Sequence, residues 1–349
     1  MTTGNGAAGS AYDRIPKVEL HCHVEGTVRP ATVLELAARA GRPLPVDDPA
    51  ELYRYDSLDS FLAVFWLVQE TLVSPGDWAR IAYESLVDAA AHGLRYREMF
   101  FTPARHLAAG QDLGEIVAGL TDGIEAAEAE SGVRCMLIAA MDRAYGPDAG
   151  LDFVERVGAL RRAGGGERVI GTGADSTELG IDLAAFAPAF DAARRFGLRR
   201  TCHAGEATGV GPANIAIALD TLGAERIDHG VALVEDPALL ARVAAERIPL
   251  TVCPTSNVVI ANRYATLREH PLPELRAAGV LLTINTDDPA MMELDLGQEY
   301  RNVAEAYDLG FDDLGRLALD GIESTWLDDT DRRALTAAFE AELRTVTGP

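Results

Sequence analysis

Residues 18–26 read VELHCHVEG: a short apolar run ending in two histidines that flank a cysteine, with an acid two positions further on. Along an extended strand successive side chains alternate faces, so His21 and His23 point one way and Cys22 the other. The two histidines can share one metal while the cysteine turns into the core. Glu25 falls on the histidine face if the strand continues that far. An HxH pair alone is a modest signal, and its weight depends on what the ends of other strands deliver beside it.

The same layout recurs along the chain: a helix-like stretch, a glycine or short breaker, a brief apolar strand, then polar residues. Strands are expected at 17–26, 93–103, 132–141, 168–178, 197–206, 225–230, 247–257 and 279–289. Amphipathic helix patterns lie between them at 30–40, 78–92, 112–130, 183–196 and 237–246. Such alternation makes right-handed βαβ units and a parallel sheet. Eight units fit a single closed (β/α)8 TIM-type barrel, a fold of about 250 residues before insertions. The surplus falls mainly between strands 1 and 2, where ELYRYDSLDSFLAVFWLVQETL (51–72) predicts extra helices over the C-terminal mouth. An open doubly wound sheet is the competing architecture, but GTGADS (171–176) lacks the third glycine of a dinucleotide fingerprint. Residues 1–13 read as a disordered lead-in and 14–349 as one domain.

Bulk composition narrows the function. An apolar content of 48% allows a large core, and no uncharged apolar run is long enough to span a membrane. The opening MTTGNGAAGSAYDR lacks the layout of a secretory signal. Cysteines 22, 135, 202 and 253 form no CxxC pair, which points to reduced thiols and a cytoplasmic setting. A net charge of -23 argues against a nucleic-acid partner, because phosphate binding needs clustered cations.

Strand 5 ends in His203-Ala204-Gly205-Glu206, strand 6 in Asp228-His229-Gly230 and strand 8 in Asp287-Asp288-Pro289. A lone histidine at a strand end is commonly just a satisfied polar residue. Four histidines and two adjacent acids at one mouth are costly as packing alone, since buried charges need partners or a metal. Imidazoles with a carboxylate suit Zn2+, or less specifically Fe2+, Co2+ or Mn2+. Two histidines from strand 1, one from strand 5 and an aspartate from strand 8 would leave an open position for water. The only lysine, Lys17, sits at the wrong end of strand 1 to bridge a metal pair, so one ion is expected.

Taken in order, HCHVEG, GADSTE, HAGE, RIDHG, CPTSN and NTDDP resemble the adenosine/adenine deaminase family of the amidohydrolase superfamily over nearly the whole chain. The resemblance implies a barrel with a single zinc held by His21, His23, His203 and Asp287. It implies that Glu206 handles the proton at purine N1, and that His229 orients and helps deprotonate the metal-bound water. Asp288 would hydrogen-bond N7. Attack at C6 then expels ammonia and leaves a 6-oxopurine. The other zinc deaminase design, with HxE and PCxxC ligands, does not match CPTSN and HAGE.

The motifs divide on substrate. Adenosine deaminases usually carry Asp in the place of Glu25, and LAGDE near strand 4. Glu25, ADSTE and Asp228 resemble adenine deaminases, and Ser176 replaces a glycine whose backbone serves the purine in the nucleoside enzymes. HAGEATGVGPANI, REHPLPEL and the aromatic insertion look like the nucleoside branch. Phe61, Phe65 and Trp66 read either as an apolar lid or as packing of the inserted helices. Glu25, Ser176, Phe65 and Gly205 are the expected substrate contacts.

The expected partner is therefore a small-molecule purine nucleoside, adenosine or a 5′-modified adenosine such as aminodeoxyfutalosine. Free adenine is the alternative. A metal-dependent cyclic amide or ester hydrolase and a non-catalytic purine-binding barrel are more distant ones. His270 reads as a loop-fixing residue, and His92 and His106 as surface residues.

Overall fold

Each expected strand is present but shorter than its motif. The computed structural model describes residues 10–46, 48–55 and 58–346. Its strands are β1 (Lys17–Glu19), β2 (Leu94–Phe101), β3 (Arg134–Asp142), β4 (Val169–Asp175), β5 (Arg199–Ala204), β6 (Arg226–His229), β7 (Leu250–Val252) and β8 (Leu282–Ile284). They pair in parallel in chain order, with helices between them, as a (β/α)8 barrel.

The seam between β8 and β1 is made differently from the other seven contacts. Leu20 N donates to Asn285 Oδ1 at 2.8 Å, and Thr286 donates from its backbone N and its hydroxyl to Glu19 Oε1 at 2.9 and 2.6 Å. Side chains thus replace ladder bonds. Beyond them Cys22 forms a parallel bridge with Asp287, and His23 forms one with Phe100. His23 N donates to Asp287 O at 2.9 Å, Asp287 N to His21 O at 3.2 Å, and Phe100 N to Cys22 O at 2.9 Å. The histidine segment therefore stitches β8 to β2. The strand does not run to Gly26 as expected, because Val24–Thr27 turn into a 3-10 helix that carries Glu25 off the strand face.

The barrel interior is filled from the bottom upward. Glu98 and Arg226, both fully buried, pair at 2.7 Å. Glu98 Oε1 also accepts from Trp326 N at 2.6 Å and from Tyr96 Oη at 3.1 Å, and the Arg226 guanidinium lies 4.0 Å from the Trp326 ring centre. Phe100, Ile138 and Ala140 form the layer above. A Cβ on Gly171 would lie 2.5 Å from Trp326, and one on Gly173 would lie 3.0 Å from Phe100. The GTG of GTGADS thus makes room for these rings.

Lys17 closes the lower rim. Its Nζ donates to the carbonyls of Tyr12, Ile15 and His92 at 2.6, 2.8 and 2.8 Å, and it lies over the Tyr300 ring. This corrects part of the expected lead-in: Ala11–Arg14 form a 3-10 turn, with Ser10 as its cap and Tyr12 stacked on Phe311. Residues 1–9 of that segment lie outside the described residues.

The insertion after β1 holds the helices Pro49–Leu52 and Leu58–Thr71. Phe61 and Val68 are buried in the core, Phe65 packs half-buried beside Phe61, and Trp66 is exposed beneath Arg105. His106 is not a surface residue. It is buried edge-on to Trp78 with Nε2 2.9 Å from Gln69 O, tying the short helix Ala104–Ala108 to the inserted one. His92 is half-buried, with Nδ1 2.9 Å from Asp13. Among the described residues no helix is long and apolar enough to cross a membrane.

The Glu98–Arg226 pair yields a stability prediction. Glu98→Gln leaves the buried Arg226 charge uncompensated, and the expected loss is about 3–5 kcal/mol. Urea unfolding measures it, and a loss below about 1 kcal/mol, the worth of an exposed pair, would show the pair to be dispensable.

Candidate active site

Three strands end in left-handed backbone turns at non-glycine residues: Ser176 after β4 (φ 71°), His229 at the end of β6 (φ 60°) and Asp287 after β8 (φ 64°). Each such turn costs about 1–3 kcal/mol, so the surroundings must over-determine it. Gly205 makes the same turn after β5 (φ 72°), where a Cβ would meet Ile215 and Ala232 at 2.8 and 2.9 Å. These turns aim the strand-end side chains inward over the ring of Phe100. That ring lies 5.1, 5.0 and 5.6 Å from the rings of His21, His23 and His203.

One ligand atom each of His21, His203, His229 and Asp287 lies within 4.8 Å of the others. His23 joins them, with Nε2 3.2 Å from His203 Nε2 and 3.5 Å from Asp287 Oδ1. His21 Nε2 is 3.2 Å from the same Oδ1 and has no hydrogen-bond partner. Asp287 Oδ2 accepts from Ser256 Oγ at 2.7 Å. Cys22 is buried away from the cluster, as strand alternation requires.

The outer nitrogens reveal what the inner ones can do. Thr251 gives its hydroxyl proton to Asp228 Oδ1 (2.9 Å), so its oxygen accepts from His21 Nδ1 at 3.1 Å. His203 Nδ1 lies 3.3 Å from Asp228 Oδ2, and His23 Nδ1 lies 3.8 Å from Asp175 Oδ2. Protons drawn to the outer nitrogens of His21 and His203 leave their Nε2 atoms as bare lone pairs, the arrangement that metal-binding histidines adopt. His23 Nε2 faces His203 Nε2 at 3.2 Å, near enough for both nitrogens to turn toward one cation. The donor set fits a divalent metal.

Charge follows the same division. Burial alone would raise Asp228, but His203, His21 and Arg226 hold its carboxyl well below the usual range. Asp287 is likewise held far down against burial by His21. Its neighbour Asp288 is pushed far up by burial and by the Asp287 charge. Glu206 is raised by burial, Asp287 and Glu178, and its Oε2 stands 3.5 Å from His229 Nε2.

The structure brings His21, His23, His203, Glu206, His229, Asp287 and Asp288 to one mouth. Glu25 reaches the rim from its 3-10 turn, with its carboxyl fully buried and Oε1 accepting from Thr102 N at 2.8 Å. Ser176 contributes its turn, and its carbonyl accepts from Arg143. At Gly205 the N–H donates to Glu178 Oε2 at 2.8 Å and the carbonyl accepts from Ala232 N at 3.0 Å, so its N–H is committed within the protein. Phe65 packs on Phe61 with ring centres 5.9 Å apart.

Several residues escaped the sequence reading. Arg143, fully buried, donates to the carbonyls of Asp175 and His203 at 2.7 Å each and to that of Ser176, clamping the ends of β4 and β5. The available signal was an Asp-Arg pair closing the apolar run of β3. Glu178 accepts from the backbone N of Gly205, Glu206 and Ala207 and from Asn214 Nδ2, which shapes the HAGE turn. Asp175 and Asn257 stood inside quoted motifs without a role. Asp175 Oδ2 accepts from Thr102 Oγ1 at 2.5 Å, and burial raises its pKa to about 8.

Comparison with known proteins agrees with this geometry. The family model described as adenosine deaminase matches residues 16–341. An adenine deaminase of Streptomyces coelicolor is 39% identical over 332 residues, covering 94% of this chain and 95% of the relative. An aminodeoxyfutalosine deaminase of Acidothermus cellulolyticus is 35% identical over 353 residues, covering 95% and 98%. A crystal structure of an amidohydrolase from Burkholderia ambifaria with bound Zn superposes with a TM-score of 0.90 at 31% identity, covering 98% of this chain and 95% of that one. Matched nearly end to end in both sequence and fold, the chain belongs to the adenosine deaminase family of the amidohydrolase superfamily and is a purine deaminase.

Proposed function

We propose that this chain deaminates free adenine hydrolytically, giving the 6-oxopurine and ammonia, with zinc held by His21, His23, His203 and Asp287. The observation that carries the substrate reading is a pair of buried carboxyls sharing Thr102. Glu25 uses one oxygen on the Thr102 N–H and Asp175 uses one on its hydroxyl, while Glu25 Oε2 and Asp175 Oδ1 have no partner. Burial raises Glu25 to about 7 and Asp175 to about 8, so either carboxyl can carry a proton near neutrality. A free purine offers an N–H and an adjacent lone pair where a nucleoside carries its sugar. A carboxyl pair with one proton can meet both. The similarity to the Streptomyces adenine deaminase supports the same reading.

His229 stands outside the proposed ligand set because its Nδ1 faces the Asn257 amide nitrogen at 3.1 Å, leaving Nε2 as the protonated nitrogen. When bound, zinc supplies Lewis-acid chemistry that makes water nucleophilic near neutral pH. Glu206, raised by burial and its acidic neighbours, holds a proton for purine N1, which offsets the loss of aromaticity as C6 is attacked. Asp288, neutral for the same reason, donates to N7. His229 holds the attacking oxygen from the side opposite its Asn257 contact. The four cysteines, all buried and free, fit a cytoplasmic setting.

The second reading is a nucleoside changed on its 5′ side, supported by the near full-length match to the Acidothermus aminodeoxyfutalosine deaminase. Ammonia release from adenine, adenosine and 5′-modified adenosines separates the two. Adenine is expected to lead in kcat/KM by about 100-fold or more, since a site built for a substrate N–H rejects analogues without it. Equal or better turnover of a nucleoside would overturn the free-base reading. Glu25→Gln and Asp175→Asn are each expected to lower kcat/KM for adenine by about 10- to 100-fold, the worth of a charge-assisted hydrogen bond.

The chemistry has its own test. Glu206→Gln is expected to lower kcat by about 100- to 10,000-fold while one zinc per chain is retained, as elemental analysis would show. A cyclic amide or ester hydrolase using the same metal predicts little dependence on Glu206. Chelation is expected to abolish turnover and added zinc to restore it.

A further inference from the structure

The buried His270 of the EHP stretch and Asn257 of CPTSN form a chain of hydrogen bonds that ends on His229. Its direction is set at the far end by a group with no choice. The backbone N–H of Leu272 can only donate, and it points at His270 Nδ1 at 3.1 Å. His270 Nδ1 must therefore be the bare nitrogen, so its proton sits on Nε2, which lies 3.1 Å from Asn257 Oδ1. Both residues are buried, and burial keeps His270 neutral, with its pKa lowered to about 3. With the Asn257 oxygen taken, its amide nitrogen faces His229 Nδ1 at 3.1 Å and can only donate to it. A neutral imidazole that accepts at Nδ1 carries its hydrogen at Nε2. That Nε2 is buried without a partner and faces the reaction side, 3.5 Å from Glu206 Oε2.

We propose that His270 and Asn257 are positioning residues that lock His229 as a hydrogen-bond donor at Nε2, unable to accept a proton there. This rests on the placement of His229 beside the attacking oxygen in the reading above. It changes the expected division of labour. His229 orients the oxygen by donating to it, and proton removal falls to Glu206, whose carboxyl faces the same space and is free to accept once its own proton has passed to purine N1. A packing role for His270 would require only bulk, whereas the chain requires an N–H at its Nε2 and an amide at residue 257.

Side-chain nitrogen-15 NMR of the zinc-loaded protein reads the tautomer directly, whatever the substrate. The expected result is Nε2–H with a bare Nδ1 on both His229 and His270. A wild-type His229 protonated at Nδ1 would overturn the proposal even if the enzyme deaminates adenine as proposed. Conversely, failure to turn over adenine would leave the tautomer result standing. Asn257→Asp keeps the volume but replaces the donating amide by a carboxylate, so Nδ1 of His229 is expected to become protonated. With it kcat is expected to fall by about 10- to 100-fold, with KM changing less, as for other groups that orient a catalytic residue through hydrogen bonds. His270→Leu is expected to do the same, and His270→Gln, which restores an N–H toward Asn257, to recover most of the activity. A switched tautomer with unchanged kcat, or His270→Leu as active as His270→Gln, would also overturn it.

Discussion

Closure of the barrel at the β8–β1 seam is the constraint on which the rest depends. A parallel barrel needs its last strand to meet its first, and here the meeting is made by the residues around the cluster itself. The Cys22–Asp287 bridge places the backbone of the HCH segment beside Asp287, and the His23–Phe100 bridge carries that segment on to β2. Any local change that opened this seam would also separate His21 and His23 from Asp287. Fold and site are therefore coupled through a few hydrogen bonds.

Below the seam, an interior filled by the Glu98–Arg226 pair, Trp326 and Phe100 gives the histidines a rigid floor. Above it, the chemistry is decided one shell further out. Thr251 and Asp228 draw the protons of His21 and His203 outward, and Asn257 pushes the proton of His229 inward. Three of the imidazoles are sorted into two lone-pair donors and one hydrogen-bond donor by the groups on their outer sides. The left-handed turns at Ser176, His229 and Asp287 are the conformational cost of aiming them there.

Much of this was legible in the chain. The strand-helix alternation gave eight strands in the right order, and the polar strand ends gave seven of the site residues. What escaped has identifiable physical reasons. Strand β1 was read as reaching Gly26 because periodicity cannot show where side chains such as Asn285 and Glu19 take over ladder bonds. That Glu178 takes the Gly205 N–H could not be read from the HAGE motif, because the acceptor lies on an earlier loop. His106 read as exposed because nothing local predicts that the inserted helix covers it. Arg143 lay hidden because its three acceptors are backbone carbonyls on two later strands, and carbonyls have no sequence signature.

The sequence by itself determined the architecture, the residue types at the mouth and the separation of Cys22 from the two histidines. Those follow from local rules: side-chain alternation along a strand and the polarity switch at each strand end. Only the tertiary structure decided which nitrogen of His21, His203 and His229 carries the proton, which carboxyls are left with an unpaired oxygen, and that Glu25 and Asp175 share Thr102. These depend on partners tens to hundreds of residues away, brought within hydrogen-bond distance by the barrel's closure, and a proton's position is set by its nearest acceptor.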